Sequence, residues 1–533
     1  MAKKPQERET WAGKLGIVLA VAGSAVGLGN FLRFPGMAAQ NGGGAFLIPY
    51  FVAFFILGLP ICWIEWTIGR YGGQFSHGSA PGIFDALTGR RPWAKYLGVL
   101  GVVGPLGILF YYLYIESWTL AYSCFAAVGR YKGISDPDGM RAFFGQFLGS
   151  GGEHFQGVGV AYIFFLFTFA LNFWIIYRGL TRGIEAFCEL AMPLLFIAGL
   201  VLMVRVLSLG APLAEHPEWN VGTGLGFLWN PDFSRLRSGD VWLKAAGQIF
   251  FTLSVGIGVI LTYSSYVKSR QDIALSSLTA SSMNEFAEVI LGSSIVIPAA
   301  VCFFGAAGTA QATEGGSFGL AFISMPLFFN RMPGGEIFGF YWFLLLFVAG
   351  TTSSISLLQP ALSFLEEELG LRRRQAVLAV GSVSFAVCHL AIFGSVVIDE
   401  MDFWFSSFGL PLFAMIEVLL FVFVFGADRG WKELHRGAEI RIPVFFKFVA
   451  KYVTPFYLGA ILVFWLATDG WQTIILKKRL PDGSLADMYA AKQLPWVWGT
   501  RLLYVLLILV VCLLVRAAWR RKSAAETAAE ATP

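Results

Sequence analysis

The sequence predicts an all-α integral membrane protein of about twelve transmembrane helices, and three observations lead there. Of its 533 residues 56% are hydrophobic and only 14% charged, against about 25% charged in soluble domains. The mean hydropathy is +0.66, more apolar surface than one aqueous core could bury. Segments 46–63, 97–115 and 289–313 contain no Asp, Glu, Lys or Arg, and a helix needs about 20 such residues to cross roughly 30 Å of hydrocarbon. In lipid the backbone must satisfy its own hydrogen bonds, which leaves helices or closed barrels. These runs are continuous and not alternating, so they are helices and not barrel strands.

Twelve spans follow from length and punctuation: 12–38, 42–70, 95–126, 160–178, 184–206, 242–268, 274–308, 338–369, 375–396, 400–425, 447–468 and 496–518. Ahead of them residues 1–10 are polar (Lys3, Lys4, Glu7, Arg8, Glu9), and no short apolar stretch with a small-residue cleavage site follows. The expectation is that no signal peptide is removed and that span 1 directs insertion. With the N-terminus inside, the inner loops collect Arg70, Arg90, Arg91 and Lys95, then Arg178 and Arg182, Lys268 and Arg270, Arg372 to Arg374, Arg429 to Lys447, and Arg516 to Lys522. The outer loop near 397–402 carries Asp399, Glu400 and Asp402 and no base. The bias places both termini in the cytoplasm of a multi-pass protein of the cell (inner) membrane. The basic tail is a topology and lipid-surface signal and calls for no nucleic-acid partner.

Six cysteines (Cys62, Cys124, Cys188, Cys302, Cys388, Cys512) sit singly in apolar stretches, without metal or disulfide spacing. The histidines His77, His154, His216, His389 and His435 are scattered. No nucleophile–base pair or metal cluster supports an intramembrane enzyme, and no organic cofactor is expected.

Two glycine-rich interruptions organise the rest. Span 1 is broken by residues 22–29 (Ala22, Gly23, Ser24, Ala25, Val26, Gly27, Leu28, Gly29) and span 6 by residues 254–258 (Ser254, Val255, Gly256, Ile257, Gly258). A single glycine cluster reads as close helix packing. Two clusters five spans apart, in halves of opposite orientation, read as unwound helices around a site at the bilayer midplane. A broken helix frees amides at one half's N-terminus and carbonyls at the other's end, which suits a carboxylate, an ammonium group and a hard cation together. Residues 23–30 supply carbonyls and the Asn30 side chain; Thr252 and Ser254 flank the second break. Ala349, Gly350, Thr351, Thr352, Ser353 and Ser354 place a run of hydroxyls inside span 8, more than bonding back to their own helix requires. Asn284 is either an interhelical hydrogen bond or a ligand.

Arg33, Glu65, Glu116, Glu288 and Asp402 are charges at membrane depth, costing at least about 2.5–3.5 kcal/mol each at a helix centre. Arg33 and Asp402 lie at similar depth in the outer half and form either an entrance-closing pair or a static one. Glu65 and Glu116 are read as fixing helix contacts. Ile108, Tyr112 and Glu116 share one face of span 3.

These residues resemble one family. The stretch 23–35 with 41–46, and the motifs Trp63-Ile64-Glu65-Trp66, Tyr111-Tyr112-Leu113-Tyr114-Ile115-Glu116-Ser117-Trp118, Phe251-Thr252-Leu253-Ser254 and Asp399-Glu400-Met401-Asp402-Phe403-Trp404 are similar to neurotransmitter:sodium symporters, the bacterial LeuT-type amino acid transporters above all. The likeness runs from about Trp11 to Lys432. It implies a LeuT-type 5+5 inverted repeat with helices 1 and 6 unwound. Its division is a cytoplasmic segment 1–10, a transport core 11–425 in repeats of about 11–206 and 241–425, two additional helices within 426–518, and a cytoplasmic tail 519–533. It further implies sodium-coupled symport of a small neutral, hydrophobic amino acid, or else a transport-inactive sensor of the same fold.

The resemblance also implies roles. One sodium would take the Ala25 carbonyl, Asn30, Thr252, Asn284 and the substrate carboxylate. A second would take carbonyls of Gly23, Val26 and Ala349 and hydroxyls of Thr352 and Ser353. The substrate carboxylate would meet the Leu28 and Gly29 amides and Tyr112. Its ammonium group would meet carbonyls of Ala25, Phe251 and Thr252 and the Ser254 hydroxyl. Ile108, Phe251, Ile257 and Leu357 would wall the side-chain pocket. Arg33, Asp402, Tyr112, Phe251 and Gln248 would form the outer gate; Arg8 and Glu367 the inner one, with Trp11 beside them. Monoamine carriers of the family have Asp where this chain has Gly27, which favours a substrate bearing its own carboxylate. Glu288 stands where chloride-dependent members have a small polar residue; it is expected to replace the anion, to titrate during turnover and to support proton antiport. The inner-gate acid is Glu367 where relatives have Asp, and Ser24 stands where LeuT-type members have an amide.

Overall fold

The computed structural model describes residues 8–312, 316–394, 396–480 and 484–530; residues 1–7 of the expected N-terminal segment and 531–533 of the tail lie outside them. The first span is two helices, α1 (Lys14–Ala25) and α2 (Gly29–Gln40), bent by 46° at the break. Long helices follow: α3 (Gly44–Gly73), α4 (Ala94–Ala127), α5 (Gly159–Tyr177) and α6 (Leu180–Leu207). The sixth span is again two pieces, α7 (Gly239–Leu253) and α8 (Val259–Ser265). The rest are α9 (Ala274–Thr309), α10 (Gly335–Glu368), α11 (Arg373–Phe393), α12 (Val397–Leu434), α13 (Val444–Thr468) and α14 (Ala491–Thr527). Among the described residues ten helices are long and apolar enough to cross a membrane, or eleven with α1 and α2 taken as one bent span. The pieces of the sixth span, 15 and 7 residues, are each too short to cross alone.

The helices are graded by burial. In α3, α4, α9 and α10 most of the apolar stretch is buried, whereas α13 and α14 expose most of theirs. The first four build the interior; the last two present leucine, valine and phenylalanine outward, as a lipid-facing wall does. α4 and α10 lie against each other over most of their length, and α1 packs against α6, α8, α9 and α10. Both broken spans therefore sit inside the bundle, where irregular backbone is tolerated at membrane depth.

α14 clasps the bundle at both ends. Arg501 Nε lies 3.0 Å from Glu400 Oε2 at the start of α12. At the other end Trp519 Nε1 donates to Asp85 Oδ2 at 3.0 Å, and Lys522 Nζ lies 2.5 Å from Glu368 Oε2. A two-stranded antiparallel hairpin, β1 (Lys477–Arg479) with β2 (Leu485–Asp487), joins α13 to α14.

Candidate functional site

The two breaks face each other. α1 ends at Ala25, and Val26 turns out of the helix (φ −75°, ψ 92°). α7 ends at Ser254 in the left-handed region (φ 53°), and Gly256 and Gly258 are left-handed as well. A non-glycine residue there is strained by about 1–3 kcal/mol. The contact that offsets it joins the breaks directly: Ser254 Oγ donates to the Ser24 carbonyl at 2.9 Å.

Between them lies a central cavity of about 90 Å³, lined by Ala25, Leu28, Gly29, Ile108, Tyr112, Phe251, Ser254, Ile257, Ser353 and Leu357 among others. Every residue expected at the substrate site lines it except Thr252, which is buried just beneath. The cavity also takes Ser24, Gly27 and Asn30 of the first break, and Tyr111, Ser356, Ser406 and Leu410, four residues with no role at the site assigned from the sequence. Tyr111 neighbours a named residue, and Ser406 and Leu410 lie further along the helix of Asp402; span 10's approach to the cavity is a tertiary fact. The N-terminus of α2 opens onto the cavity, where helix amides favour an anion, and the Leu28 amide lies 3.5 Å from the Tyr112 hydroxyl. Gly27 has no room for a side chain: a Cβ would stand 2.8 Å from Ser353 Oγ and 3.2 Å from the Tyr112 hydroxyl.

Beside the cavity a polar cluster is sealed from solvent. The Asn284 carboxamide, its nitrogen turned inward, donates to the carbonyls of Ala25 (3.2 Å) and Thr252 (3.0 Å), and its oxygen accepts from Thr252 Oγ1 (2.7 Å). The Ala25 and Thr252 carbonyls, the Thr252 hydroxyl and the Asn284 carboxamide are neutral oxygen-bearing groups of the kind that suits a hard ion once the amide turns its oxygen to them. The residues present therefore fit a sodium ion here. Asn30 differs from expectation in detail: its oxygen accepts from the Gly27 amide (2.8 Å) and its nitrogen faces Thr252 Oγ1 (3.2 Å).

A second oxygen group lies between α1 and α10. Ser353 Oγ is within reach of the carbonyls of Ser24 (3.2 Å), Gly23 (3.5 Å) and Ala349 (3.1 Å), and Thr352 Oγ1 is 2.9 Å from Ala349. Gly23 permits the approach, since a Cβ would meet Thr352 Cβ at 3.1 Å. The hydroxyl run on α10 divides by helix face. Thr352 and Ser353 point to the break; Thr351 and Ser354 donate to Glu116 at 2.8 and 2.6 Å, joined by Asn172 Nδ2 at 3.0 Å. Glu116 thus fixes helix contacts, and Asn172 on α5 completes a network that no local pattern announced.

Glu288 is fully buried and heavily bonded. Gln248 Nε2 donates to it at 2.6 Å and the Tyr50 hydroxyl at 3.0 Å, and Thr252 Oγ1 and Asn284 lie against it. The Tyr50 hydroxyl is also 3.0 Å from Glu285. Gln248, expected at the outer gate, is committed to Glu288 and is itself buried.

The two ends of the path differ. Arg33 and Asp402 do not pair: Asp402 accepts from the Tyr111 hydroxyl at 2.8 Å, and the Arg33 guanidinium stacks 3.5 Å over the Phe251 ring. A vestibule of about 210 Å³ opens outside that stack, lined by Arg33, Asp240, Lys244, Phe251, Ser406 and Trp465 among others. Its wall takes Arg33 and Met37 from α2 and Ser406, Ser407 and Pro411 from α12. Arg33 and Phe251 form the partition between vestibule and central cavity. At the end carrying the N-terminus the path is shut: Arg8 pairs with Glu367 (3.0 Å) and bonds the Gly73 and Ser265 carbonyls (2.9 and 3.0 Å), while buried Trp11 donates to the Tyr263 carbonyl at 2.8 Å.

Two broken helices face to face, a small cavity between them, and one closed and one open end define a secondary transporter of the LeuT-type fold. Residues 8–130 and 138–519 match the sodium:neurotransmitter symporter family. The chain is 32% identical over 474 residues to an uncharacterised sodium-dependent transporter of Methanocaldococcus jannaschii, covering 86% of this chain and 90% of the relative. It is 25% identical over 524 residues to the sodium-dependent dopamine transporter of Caenorhabditis elegans, covering 86% and 80%. Among solved structures MhsT in complex with L-phenylalanine superposes with a TM-score of 0.72 at 28% identity, covering 86% of this chain and 99% of that one. The chain belongs to the sodium:neurotransmitter symporter family and is a sodium-dependent membrane transporter; the family consists of transporters and not enzymes.

Proposed function

We propose that this transporter couples sodium to the uptake of a small neutral, hydrophobic amino acid by alternating access. The observation that carries the reading is the shared environment of the breaks: α2 amides and freed carbonyls meet at one cavity whose far wall is Ile108, Ile257 and Leu357, with Asn284 in the polar cluster beside it. A zwitterion's carboxylate would rest on the Leu28 and Gly29 amides and Tyr112, its ammonium group on carbonyls of Ala25, Phe251 and Thr252 with Ser254. Sodium would be held by Ala25, Asn30, Thr252 and Asn284 together with that carboxylate, and a second ion by Gly23, Val26, Ala349, Thr352 and Ser353. Ion and substrate then complete each other's site, which is direct thermodynamic coupling. Sodium supplies the driving force; the chain's own residues orient and enclose the substrate.

The neighbour's bound L-phenylalanine supports an amino acid, and the lack of space at Gly27 supports one that brings its own carboxylate. Glu288 supplies a fixed carboxylate in place of chloride, and its protonation during turnover would give proton antiport. The path runs from the outside through the Arg33–Phe251 partition to the cytoplasm past Arg8, Glu367 and Trp11, with both termini inside. The two breaks belong to inverted repeats of about 11–206 and 241–425. Competition of all twenty amino acids against labelled L-phenylalanine in sodium tests the specificity: neutral apolar residues should displace it. Displacement led by lysine or glutamate would contradict the reading, and binding without accumulation would indicate the sensor.

A further inference from the structure

One pair of side chains in the central cavity belongs neither to the sodium groups nor to the contacts expected for a carboxylate and an ammonium group. Ser24, in the last turn of α1, and Ser356, one turn past Ser353 on α10, both line the cavity, and their hydroxyl oxygens lie 2.7 Å apart. The other cavity hydroxyls serve elsewhere. Ser254 and Ser353 reach carbonyls at the first break, and Tyr111 meets Asp402 and Ser406 at the outer partition. The serine pair adjoins the side-chain end of the site: Ser356 is the chain neighbour of Leu357, which walls the cavity with Ile108 and Ile257.

Both protons of the pair are engaged. A hydroxyl has one proton to give and two lone pairs to receive with. Ser356 Oγ donates to the Ser353 carbonyl at 2.7 Å, so the proton between the two serines is that of Ser24. Ser24 Oγ then keeps its lone pairs open and Ser356 Oγ keeps another; among the described residues no further N–H or O–H donates to them. Both side chains are buried. A buried acceptor left without a donor is destabilising, so the pair suits a ligand group that donates a hydrogen bond and disfavours a methyl of the same size. Among the described residues no charged side chain lines the cavity, and its volume of about 90 Å³ has room for roughly six to nine water-sized groups, which favours a short neutral side chain.

We infer that Ser24 and Ser356 determine specificity, selecting an amino acid whose short side chain carries a hydroxyl, threonine or serine, over its apolar isostere. This selectivity rests on the amino acid reading above and narrows it. With the carboxylate on the Leu28 and Gly29 amides and the ammonium group on carbonyls of the breaks, the side chain points to the wall of Ile108, Ile257 and Leu357. Its hydroxyl donates to Ser24 Oγ, and the threonine methyl packs on the apolar residues. Valine fills the same volume and leaves the serine acceptors facing a methyl group.

Equilibrium binding of labelled L-threonine, L-valine, L-serine and L-alanine to the full-length protein in sodium tests this, with the double variant Ser24→Ala/Ser356→Ala beside the parent. The parent should bind threonine over valine, and serine over alanine, by roughly three- to tenfold, the worth of one hydrogen bond. The double variant should level or invert both preferences, whatever it does to affinity as a whole, because a change in cavity shape alone weakens both members of an isosteric pair together. Valine binding as tightly as threonine in the parent would overturn the proposal and leave the amino acid reading standing; so would preferences unchanged in the double variant. Should that variant fail to fold, the parent's two preferences decide. Absence of sodium-dependent binding for all four and for L-phenylalanine would overturn the amino acid reading and this selectivity with it.

Discussion

At the residue scale, the proposed substrate class turns on single atoms. Gly27 has its would-be Cβ 2.8 Å from Ser353 Oγ, so Gly27→Asp must displace Ser353 or Tyr112 and places a second carboxylate where the substrate's own would lie. Amino acid affinity should fall at least about tenfold, or about 1.4 kcal/mol, measured by equilibrium binding in sodium. Tyr112→Phe removes the hydroxyl beside the Leu28 amide. A hydrogen bond to a charged group contributes about 1.5–3 kcal/mol, so affinity for the carboxylate should drop about tenfold or more while folding is unaffected. At Glu116 the sign of the effect depends on what replaces the acid. Glu116→Gln keeps an acceptor for Thr351 and Ser354; Glu116→Leu removes the acceptor they share with Asn172 and leaves them their own helix carbonyls and one another, at about 1.5–3 kcal/mol for each bond to the charged group that is lost. The leucine variant should melt well below the glutamine variant, and equal melting temperatures would show that the network is not structural. Glu288→Gln should weaken transport and introduce sensitivity to chloride; full transport with unchanged chloride insensitivity would remove the anion-replacing role.

At the scale of elements, the legible features were those that chemistry confines to short stretches. The breaks at 22–29 and 254–258 were visible because a helix core rarely tolerates clustered glycine, and the structure puts Ser254 Oγ on the Ser24 carbonyl across them. The span limits were close because each apolar run ends in polar or glycine punctuation. What could not be read was which face of each helix turns where. The serine–threonine run on α10 looked like one ligand group and proves to be two, with alternate pairs serving the α1 break and Glu116. Gln248, which the family resemblance assigned to the outer gate, faces Glu288. The expected Arg33–Asp402 pair depends on how far α2 and α12 stand apart, which no local pattern encodes. The inner end is the element most open to test. Arg8 holds α10, α3 and the end of α8 together through Glu367, Gly73 and Ser265. Arg8→Ala should speed hydrogen–deuterium exchange in 14–25 and 259–265 without sodium, and sodium with substrate should restore protection.

The molecule as a whole is a bundle whose two irregular spans are buried among regular ones, with one mouth closed by Arg8, Glu367 and Trp11 and the other partitioned by Arg33 over Phe251. That asymmetry is what alternating access requires: a site reached from one side at a time, with the same ligands serving both states. The regular helices build the frame, and in the proposed function the freed main-chain dipoles bind ion and substrate. α13 and α14 lie outside the central cavity, and α14 ties Glu400 at one end and Glu368 at the other into one frame. The central claim is that ion and amino acid share one site at the facing breaks, so that a sodium gradient does work on the substrate. Uptake of a labelled neutral amino acid into proteoliposomes, compared under an inward sodium gradient and with equal sodium on both sides, tests this most directly. The account predicts concentrative uptake with the gradient, bare equilibration without it, and loss of both high-affinity binding and accumulation in Asn284→Ala. Accumulation that persists when sodium is equal on both sides or replaced by potassium would contradict it.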